Sequence, residues 1–234
     1  MAAERSTAGA QTLARGLAAI ELLAEHGPQR IQELADRLGV HRSIAYRIVR
    51  TLEERRYVIR DAAGRLELGP QLAVLARNID EDLQSAALPH LTALANEVGM
   101  TAFVAVQDDD DVVTLVTVEP RRVHASVAQR PGTRHPLSKG APGIALQTLL
   151  TATEWASLGH DEPMRPEVAA ARQTGYATSH DEVIPGISSV AAAVPHPRLQ
   201  PRAAIAVVTV GRPDTASVGH HVAAAAARTA ADLS

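Results

Sequence analysis

Three segments in the first quarter of the chain, residues 12–25, 31–38 and 42–55, place apolar side chains three or four positions apart. This spacing predicts three amphipathic helices. Gly39 lies between the second and third segments, where a helix commonly ends in a left-handed glycine. Ala35 is small at the point where the two short helices must cross. The pattern therefore predicts a helix-turn-helix.

Two short strand-like segments follow the third predicted helix. Residues 57–60 and 65–68 flank a turn that contains Gly64. This arrangement predicts a β-hairpin. A hairpin that follows a recognition helix is a wing, so residues 1–69 are interpreted as a winged helix-turn-helix domain that binds DNA.

A break at Gly69-Pro70 separates this domain from the rest of the chain. Residues 71–79 then predict a helix, and an acidic run follows at residues 80–82. We interpret residues 70–82 as a linker helix and residues 83–234 as a second domain for effector binding and oligomerisation. Its first helix is predicted over residues 83–98, with Pro89 kinking it or delaying its start.

The second domain alternates between strand-like and helical periods. Strands are predicted over residues 101–107, 112–118, 123–128, 176–179, 188–194 and 203–210, and helices over residues 140–150, 153–158, 165–174 and 217–233. Residues 130–135 predict a Pro/Gly loop. Because the strands mostly follow one another, the pattern favours an α+β fold with a mainly antiparallel sheet.

Composition excludes several classes of function. The 234 residues include no Cys, which excludes disulfides, cysteine-ligated zinc, iron–sulfur clusters and thiol catalysis. Only five aromatic residues are present, too few for a base-stacking platform that grips single-stranded nucleic acid. No stretch approaches the roughly 20 apolar residues of a membrane span. We therefore expect a cytoplasmic protein with no membrane partner.

The net charge of −3 hides an uneven distribution. Residues 1–69 carry 11 Arg and nine acidic residues, whereas the remainder has a balance of −5. The basic residues are densest in residues 42–60, with six Arg against two Glu. A basic stripe on a small domain is typical of phosphate binding. On charge alone, the solvated face of a helix is the alternative interpretation.

The outward face of the third predicted helix and the wing supply the candidate DNA contacts. These residues are Arg42, Ser43, Tyr46, Arg47, Arg50, Arg60 and Arg65. We expect the first three to reach base edges, the next two to hold phosphates, and the wing arginines to contact the backbone or the minor groove. Two alternatives stay open: Arg47 pairs with Glu21 or Glu25, or the module binds a protein.

The sequence gives less support for enzymatic, metal-binding or nucleotide-binding functions. Ser188 or Ser189 with His180 and Asp181 could form a hydrolase triad, but the Gly-x-Ser-x-Gly elbow is absent and adjacent His and Asp side chains tend to diverge. The run of four Asp at residues 108–111 lacks the ligand pattern of a calcium loop and predicts a solvated turn. The sequence carries no phosphate-binding or dinucleotide glycine pattern. We predict no enzyme activity, no metal and no cofactor.

Motifs in both domains resemble the IclR-type transcriptional regulators. In the first domain they are Arg15-Gly16-Leu17, residues 31–40, residues 46–53 and residues 66–69. In the second they are Pro136-Leu137, residues 140–143, Gly175-Tyr176-Ala177, Asp181-Glu182 and Pro185-Gly186-Ile187. The resemblance covers about residues 11–233.

The resemblance implies a winged helix-turn-helix, a linker helix and a GAF-like effector-binding domain. It also implies a homodimer or homotetramer on palindromic operator DNA, with a small organic acid or aromatic compound as effector. A repressor is the favoured interpretation, because occupying a promoter needs no specific polymerase contact. An activator or dual regulator is the alternative.

The resemblance also implies a set of effector-binding residues, carried over by position. They are His124, Val127, Ala141, Pro142, Gly143, Ser179, Ser189, Thr209 and Gly211. The chain departs from the family pattern at Ile144, where Lys is usual, and at Ser179, where an acid is common. Backbone N–H groups at a helix start could still hold a carboxylate. Positive charge could come from His124, Arg134 and His135.

Overall fold

The computed structural model describes residues 8–76, 81–121, 127, 129–197 and 199–233. The chain divides into two compact units, Met1–Ile79 and Asp80–Ser234. Each unit has its own hydrophobic core. This division places the start of the predicted linker with the first unit, and the domain boundaries 1–69, 70–82 and 83–234 stay predictions.

The first unit is a three-helix module with a hairpin and a short further helix. Its elements are α1 (Ala8–His26), α2 (Ile31–Arg37), α3 (Arg42–Glu54), β1 (Val58–Arg60), β2 (Leu66–Leu68) and α4 (Gln71–Ala76). β1 and β2 pair antiparallel. The helix-turn-helix and the hairpin are thus present where the sequence predicts them. Residues 77–79 of the predicted linker helix lie outside the described residues.

The apolar stripes of the three helices meet in one core. Leu34, Val49, Val58 and Leu66 are fully buried there, so the hairpin packs on the helices. Gly39 adopts a positive φ of 63° in the turn between α2 and α3, which is the role the sequence assigns to it.

The second unit contains the remaining described elements. They are α5 (Glu81–Val98), β3 (Thr101–Asp108), β4 (Asp111–Val118), β5 (Arg134–Pro136), α6 (Gly140–Gln147), α7 (Ala152–Ser157), α8 (Pro166–Thr174), β6 (Ala177–His180), β7 (Ile187–Ala193), β8 (Ala203–Val210) and α9 (Thr215–Asp232). α5 continues through Pro89. Across the residues that can be described, none of the helices is long and apolar enough to cross a membrane.

Six strands of the described residues form one sheet in the order β5-β4-β3-β8-β7-β6, and every neighbouring pair is antiparallel. This confirms the predicted sheet type. One difference is β5, which forms an edge strand at the end of the predicted loop. Of the predicted strand at residues 123–128, only Val127 is described, and it lies outside any strand.

Side chains alternate between the two faces of this sheet. On one face Ile205 packs with Leu91 of α5 and Val222 of α9. On the other, Phe103 and Ala206 belong to the core that includes α6. The sheet therefore has a helical layer on each face, and the candidate pocket described below lies on the α6 face.

Candidate DNA-binding surface and effector pocket

The residues that α3 buries in the core determine which of its residues face outward. Ala45, Ile48, Val49 and Leu52 pack inward, which leaves the predicted contact residues exposed. Tyr46 is 56% exposed, a large fraction for an aromatic side chain. The helix thus presents a polar surface held by a packed core.

His41 caps the start of α3, a role the sequence analysis does not assign. Its Nδ1 accepts the backbone N–H of Ser43 at 3.4 Å and lies 2.9 Å from the Ser43 hydroxyl. Histidine is not among the usual N-cap residues, so sequence preference gives no signal for it. The cap fixes the Ser43 side chain at the end of the surface where Arg42 lies.

The arginines of α3 fall into two groups. Arg50 pairs with Glu54, its Nε lying 3.1 Å from Oε1. Among the described residues Arg42 and Arg47 have no ion pair, so the alternative pairing of Arg47 with Glu21 or Glu25 is not present. Their guanidinium groups are therefore the least compensated positive charges on this helix.

The two wing arginines are held by carboxylates. Arg60 Nε lies 2.8 Å from Glu53 Oε1, and Arg65 Nε lies 2.8 Å from Asp61 Oδ2. The backbone N–H of Arg65 and then its side chain hold the pKa of Asp61 below its usual value. Contact with phosphate would require both arginines to leave or share these partners.

A cavity of about 50 Å³ opens on the α6 face of the sheet of the second unit. It lies among the start of α6, strands β6 and β7, and the loop at residues 181–186. Its lining residues are Phe103, Gln129, Thr133, His135, Gly140, Pro142, Ser179, Glu182, Val183, Ile184, Ile187, Ser189 and Val208.

Three of the predicted effector residues, Pro142, Ser179 and Ser189, line this cavity. Ala141 is fully buried beside them, and its backbone N–H donates to the Ser179 hydroxyl at 2.8 Å. Serine at position 179 therefore occupies one of the helix-start amides that the sequence analysis assigns to a ligand.

Gly143 is required for packing. A Cβ at this position would lie 2.3 Å from the carbonyl oxygen of Leu137, closer than any real contact. The glycine lets the first turn of α6 pass against the chain that leads into it. The motif therefore has a glycine at this position for a steric reason, and Gly143 does not line the cavity.

Two predicted residues lie away from the cavity. Thr209 is paired with Ser188 and faces the opposite side of the sheet, because successive strand residues alternate; Val208 lines the cavity instead. Gly211 has a φ of 78° beyond the end of β8, and its N–H donates to the Gly186 carbonyl. Thr209 and Gly211, which the family resemblance implies as effector-binding residues, therefore do not line this cavity.

The two remaining predicted residues lie in or next to undescribed chain. Val127 packs against the core on the α6 face but does not line the cavity, and its carbonyl accepts from the Thr101 hydroxyl at 2.9 Å. His124 lies outside the described residues.

Glu182 is the main cavity residue that the sequence analysis does not assign. Arg165 holds it with two hydrogen bonds, Nη1 to Oε2 at 2.5 Å and Nη2 to Oε1 at 3.0 Å. The N–H of Gly140 donates to the same Oε2 at 3.0 Å. The Arg165 guanidinium lowers the pKa of Glu182, with a further contribution from the Gly140 N–H. The only sequence signal is its place in the Asp181-Glu182 motif.

Two of the three residues expected to supply positive charge, Arg134 and His135, are described, and neither brings a free cation to the cavity. The guanidinium of Arg134 pairs with Asp108 at 2.7 Å and Asp111 at 3.1 Å, and it is absent from the cavity lining. His135 lines the cavity, but burial lowers its pKa, which favours the neutral ring. These two residues therefore supply no free cation for an anionic ligand.

The acidic turn between β3 and β4 is ion-paired rather than simply solvated. Besides the two pairs with Arg134, Asp110 Oδ1 lies 2.6 Å from His160 Nε2. The ring of His160 in turn stacks on Trp155, with centroids 3.7 Å apart. The run of Asp residues thus fixes neighbouring segments of the second unit.

The candidate hydrolase residues do meet, contrary to the expectation that they diverge. His180 Nδ1 lies 2.9 Å from the Ser188 hydroxyl, and its Nε2 lies 3.0 Å from Asp181. However, the Ser188 hydroxyl donates to the Gly211 carbonyl, so it accepts from His180 and is not deprotonated by it. Ser188 is also only 3% exposed. This geometry opposes nucleophilic catalysis.

Two family models together match most of the chain. The IclR helix-turn-helix domain matches residues 12–62, and the model described as bacterial transcriptional regulator IclR C-terminal matches residues 78–234. The matched segments contain α3 and the cavity respectively.

Relatives and solved structures agree with this result. The HTH-type transcriptional regulator Rv1719 of Mycobacterium tuberculosis is 30% identical over 79% of this chain and 76% of its own. The transcriptional repressor IclR of Escherichia coli is 24% identical over 86% and 81%. An IclR homologue from Microbacterium hydrocarbonoxydans, solved with 4-hydroxybenzoate, matches with a TM-score of 0.83 at 20% identity, covering 95% of this chain and 98% of its own. The chain therefore belongs to the IclR family of transcriptional regulators.

Proposed function

We propose that this protein is a repressor that binds a palindromic operator through α3 and changes its affinity for DNA when a small molecule binds the second unit. The observation that carries the proposal is the surface of α3. It combines a packed inner face with an outer face on which Arg42 and Arg47 have no ion pair among the described residues. The similarity to the transcriptional repressor IclR of E. coli supports repression. A role on chromosomal DNA places the protein in the cytoplasm.

The proposed roles of the α3 residues differ with their position along the helix. Arg42 lies at the first turn, where recognition helices commonly reach base edges, and Ser43 and Tyr46 lie on the same exposed end. Arg47 and Arg50 are further along and hold phosphates. The wing residues Arg60 and Arg65 exchange their carboxylate partners for the DNA backbone.

Arg47→Ala tests the phosphate role. Because removing one phosphate contact reduces the number of counterions released, the slope of log affinity against log salt should fall by about one unit. The measurement is fluorescence anisotropy of labelled duplex over a salt series. Arg228→Ala, which removes an exposed arginine of α9, is the control and should leave the slope unchanged. An unchanged slope for Arg47→Ala would remove this residue from the phosphate contacts.

A palindromic operator needs two copies of α3, and α1 offers a surface for the second chain. Leu13 and Leu17 lie one turn apart and are 65% and 52% exposed. They line one groove of the first unit together with Ile20 and Ile44, and a contiguous exposed apolar patch commonly marks a contact with another protein. We assign this stripe to a second copy of the chain.

Leu17→Glu tests this assignment. A carboxylate in place of this leucine would bring a charge into an apolar contact, so the variant should dissociate at concentrations where the wild type is dimeric. Analytical ultracentrifugation measures the difference. Ala62→Glu places the same group in the exposed turn between β1 and β2, away from this stripe, and should leave the assembly unchanged. A dimer of unchanged strength in Leu17→Glu would place the contact elsewhere.

The cavity at the start of α6 is the proposed effector site. The 4-hydroxybenzoate in the Microbacterium homologue supports a small-molecule ligand in this fold. At about 50 Å³ the cavity is smaller than the ~150 Å³ that accommodates a benzene ring in an engineered protein cavity. Binding of an aromatic effector therefore requires the cavity to widen. The ligand shifts DNA affinity only by its differential affinity for the two states.

A further inference from the structure

The hydrogen bonds at the start of α3 fix which ring nitrogen of His41 is a donor. The backbone N–H of Ser43 donates to Nδ1 at 3.4 Å, and a backbone N–H can only donate. Nδ1 is therefore the unprotonated nitrogen, and the ring is neutral. In a neutral imidazole the hydrogen then lies on Nε2. Nε2 is thus the atom through which the ring of His41 can donate to another molecule.

The Ser43 hydroxyl donates to the same Nδ1. Its oxygen lies 2.9 Å from this nitrogen, and because Nδ1 is the acceptor, the hydroxyl must supply the hydrogen. A phosphate oxygen also only accepts. Ser43 therefore has no hydrogen to give to a phosphate while this bond is present. The available donor at this end of α3 is Nε2 of His41 instead.

This donor faces away from the protein beside a positive charge. Nε2 lies on the far side of the ring from Nδ1, and His41 is exposed. Among the described residues, the side chain of His41 makes hydrogen bonds through Nδ1 alone. The next residue, Arg42, has no ion pair in the same part of the chain. Side chains of this kind commonly donate to phosphate oxygens in protein–DNA interfaces.

Given the proposed role of α3 in DNA binding, we propose that the Nε2–H of His41 donates to a phosphate of the DNA backbone. The ring acts in its neutral form, which distinguishes it from Arg47, whose proposed contact is ionic. His41 also positions Ser43. With its hydrogen held by Nδ1, the Ser43 hydroxyl offers lone pairs, which suit the amino groups of adenine and cytosine.

His41→Ser tests the inference, because serine is a usual N-cap residue but lacks the ring. A hydrogen bond to a charged acceptor contributes enough for the variant to bind DNA about tenfold more weakly. The loss should be equal on duplex from the promoter upstream of the coding region and on random duplex, because both carry phosphates. Fluorescence anisotropy over a salt series should give the wild-type slope, since an uncharged donor releases no counterions. Arg47→Ala in the same series should lower the slope.

Two further measurements separate this contact from a structural effect of the cap. Far-UV circular dichroism should give His41→Ser the melting profile of the wild type, whereas His41→Ala, which removes the cap as well, should melt at a lower temperature. Heteronuclear correlation spectra of the histidine ring nitrogens should show wild-type His41 protonated at Nε2 only. Comparison with the spectrum of His41→Ser assigns the signals.

The outcomes distinguish this inference from the proposed function. If His41→Ser binds both duplexes as tightly as the wild type, His41 is a cap only and the inference is wrong. A loss confined to the promoter duplex would assign the ring to a base edge, and a slope lowered by about one unit would indicate a charged ring. Either result contradicts the inference, as does protonation of Nδ1 in the wild type. If the wild type binds neither duplex, the proposed DNA-binding function itself fails.

Discussion

Gly143→Ala is expected to destabilise the second unit by about 3 kcal/mol, at the upper end of overpacking effects. Alanine would ordinarily stabilise a helix relative to glycine by about 1 kcal/mol. Here the added Cβ would lie 2.3 Å from the Leu137 carbonyl oxygen, a backbone atom that cannot rotate away. Relief requires a shift of the first turn of α6, and with it the walls of the cavity.

The single tryptophan of the chain makes this effect measurable in one unit. Trp155 is 6% exposed in the core that contains α6, so its fluorescence reports unfolding of the second unit. Urea denaturation should show a clearly lower midpoint for Gly143→Ala. Gly16→Ala is the matched control, because the nearest atom to its new Cβ is 4.0 Å away and the residue lies in the first unit. If the urea midpoint of Gly143→Ala equals that of the wild type, α6 tolerates the close contact between the added Cβ and the Leu137 carbonyl oxygen.

Arg42→Ala is expected to cost about 1–3 kcal/mol of affinity on the operator and much less on random DNA. The reason is that a guanidinium forked onto a guanine edge reads sequence, whereas a phosphate contact does not. Arg42 is the first residue of α3, and no ion pair ties it to any residue that the structure describes.

The control for this variant is Arg50→Ala. Arg50 is paired with Glu54 on the same helix and is assigned to phosphate, so its loss should weaken operator and random duplexes alike. Competition anisotropy with both duplexes gives the two affinities of each variant. Equal losses on operator and random DNA for Arg42→Ala would show that this residue does not read bases.

The first unit was predictable because its local signals agree with its packing. The apolar residues of α1, α2 and α3 recur at regular helical spacing, and Gly39 marks the turn between α2 and α3. The edge strand β5 illustrates the opposite case. It has three residues and ends in Pro136, and only its pairing with β4 makes it a strand. Such a pairing leaves no periodic signal in the sequence.

The cavity was less predictable, because it depends on which face of the sheet each residue occupies. A shift of one residue along β8 separates Thr209, which faces away, from Val208, which lines the cavity. The role of Glu182 depends on Gly140 and Arg165, which are 42 and 17 residues away in the sequence. Long-range contacts of this kind cannot be inferred from spacing in one sequence.

Sequence-specific recognition through α3 can be measured by fluorescence anisotropy on the promoter DNA upstream of the protein's own coding region, with random duplex as competitor at two salt concentrations. We expect the wild type to bind this DNA tightly, in a salt-dependent way and despite an excess of random duplex, and we expect Arg42→Ala to lose this resistance to the competitor. Displacement of the wild type by random duplex as readily as by the promoter itself would contradict sequence-specific recognition of this DNA through α3.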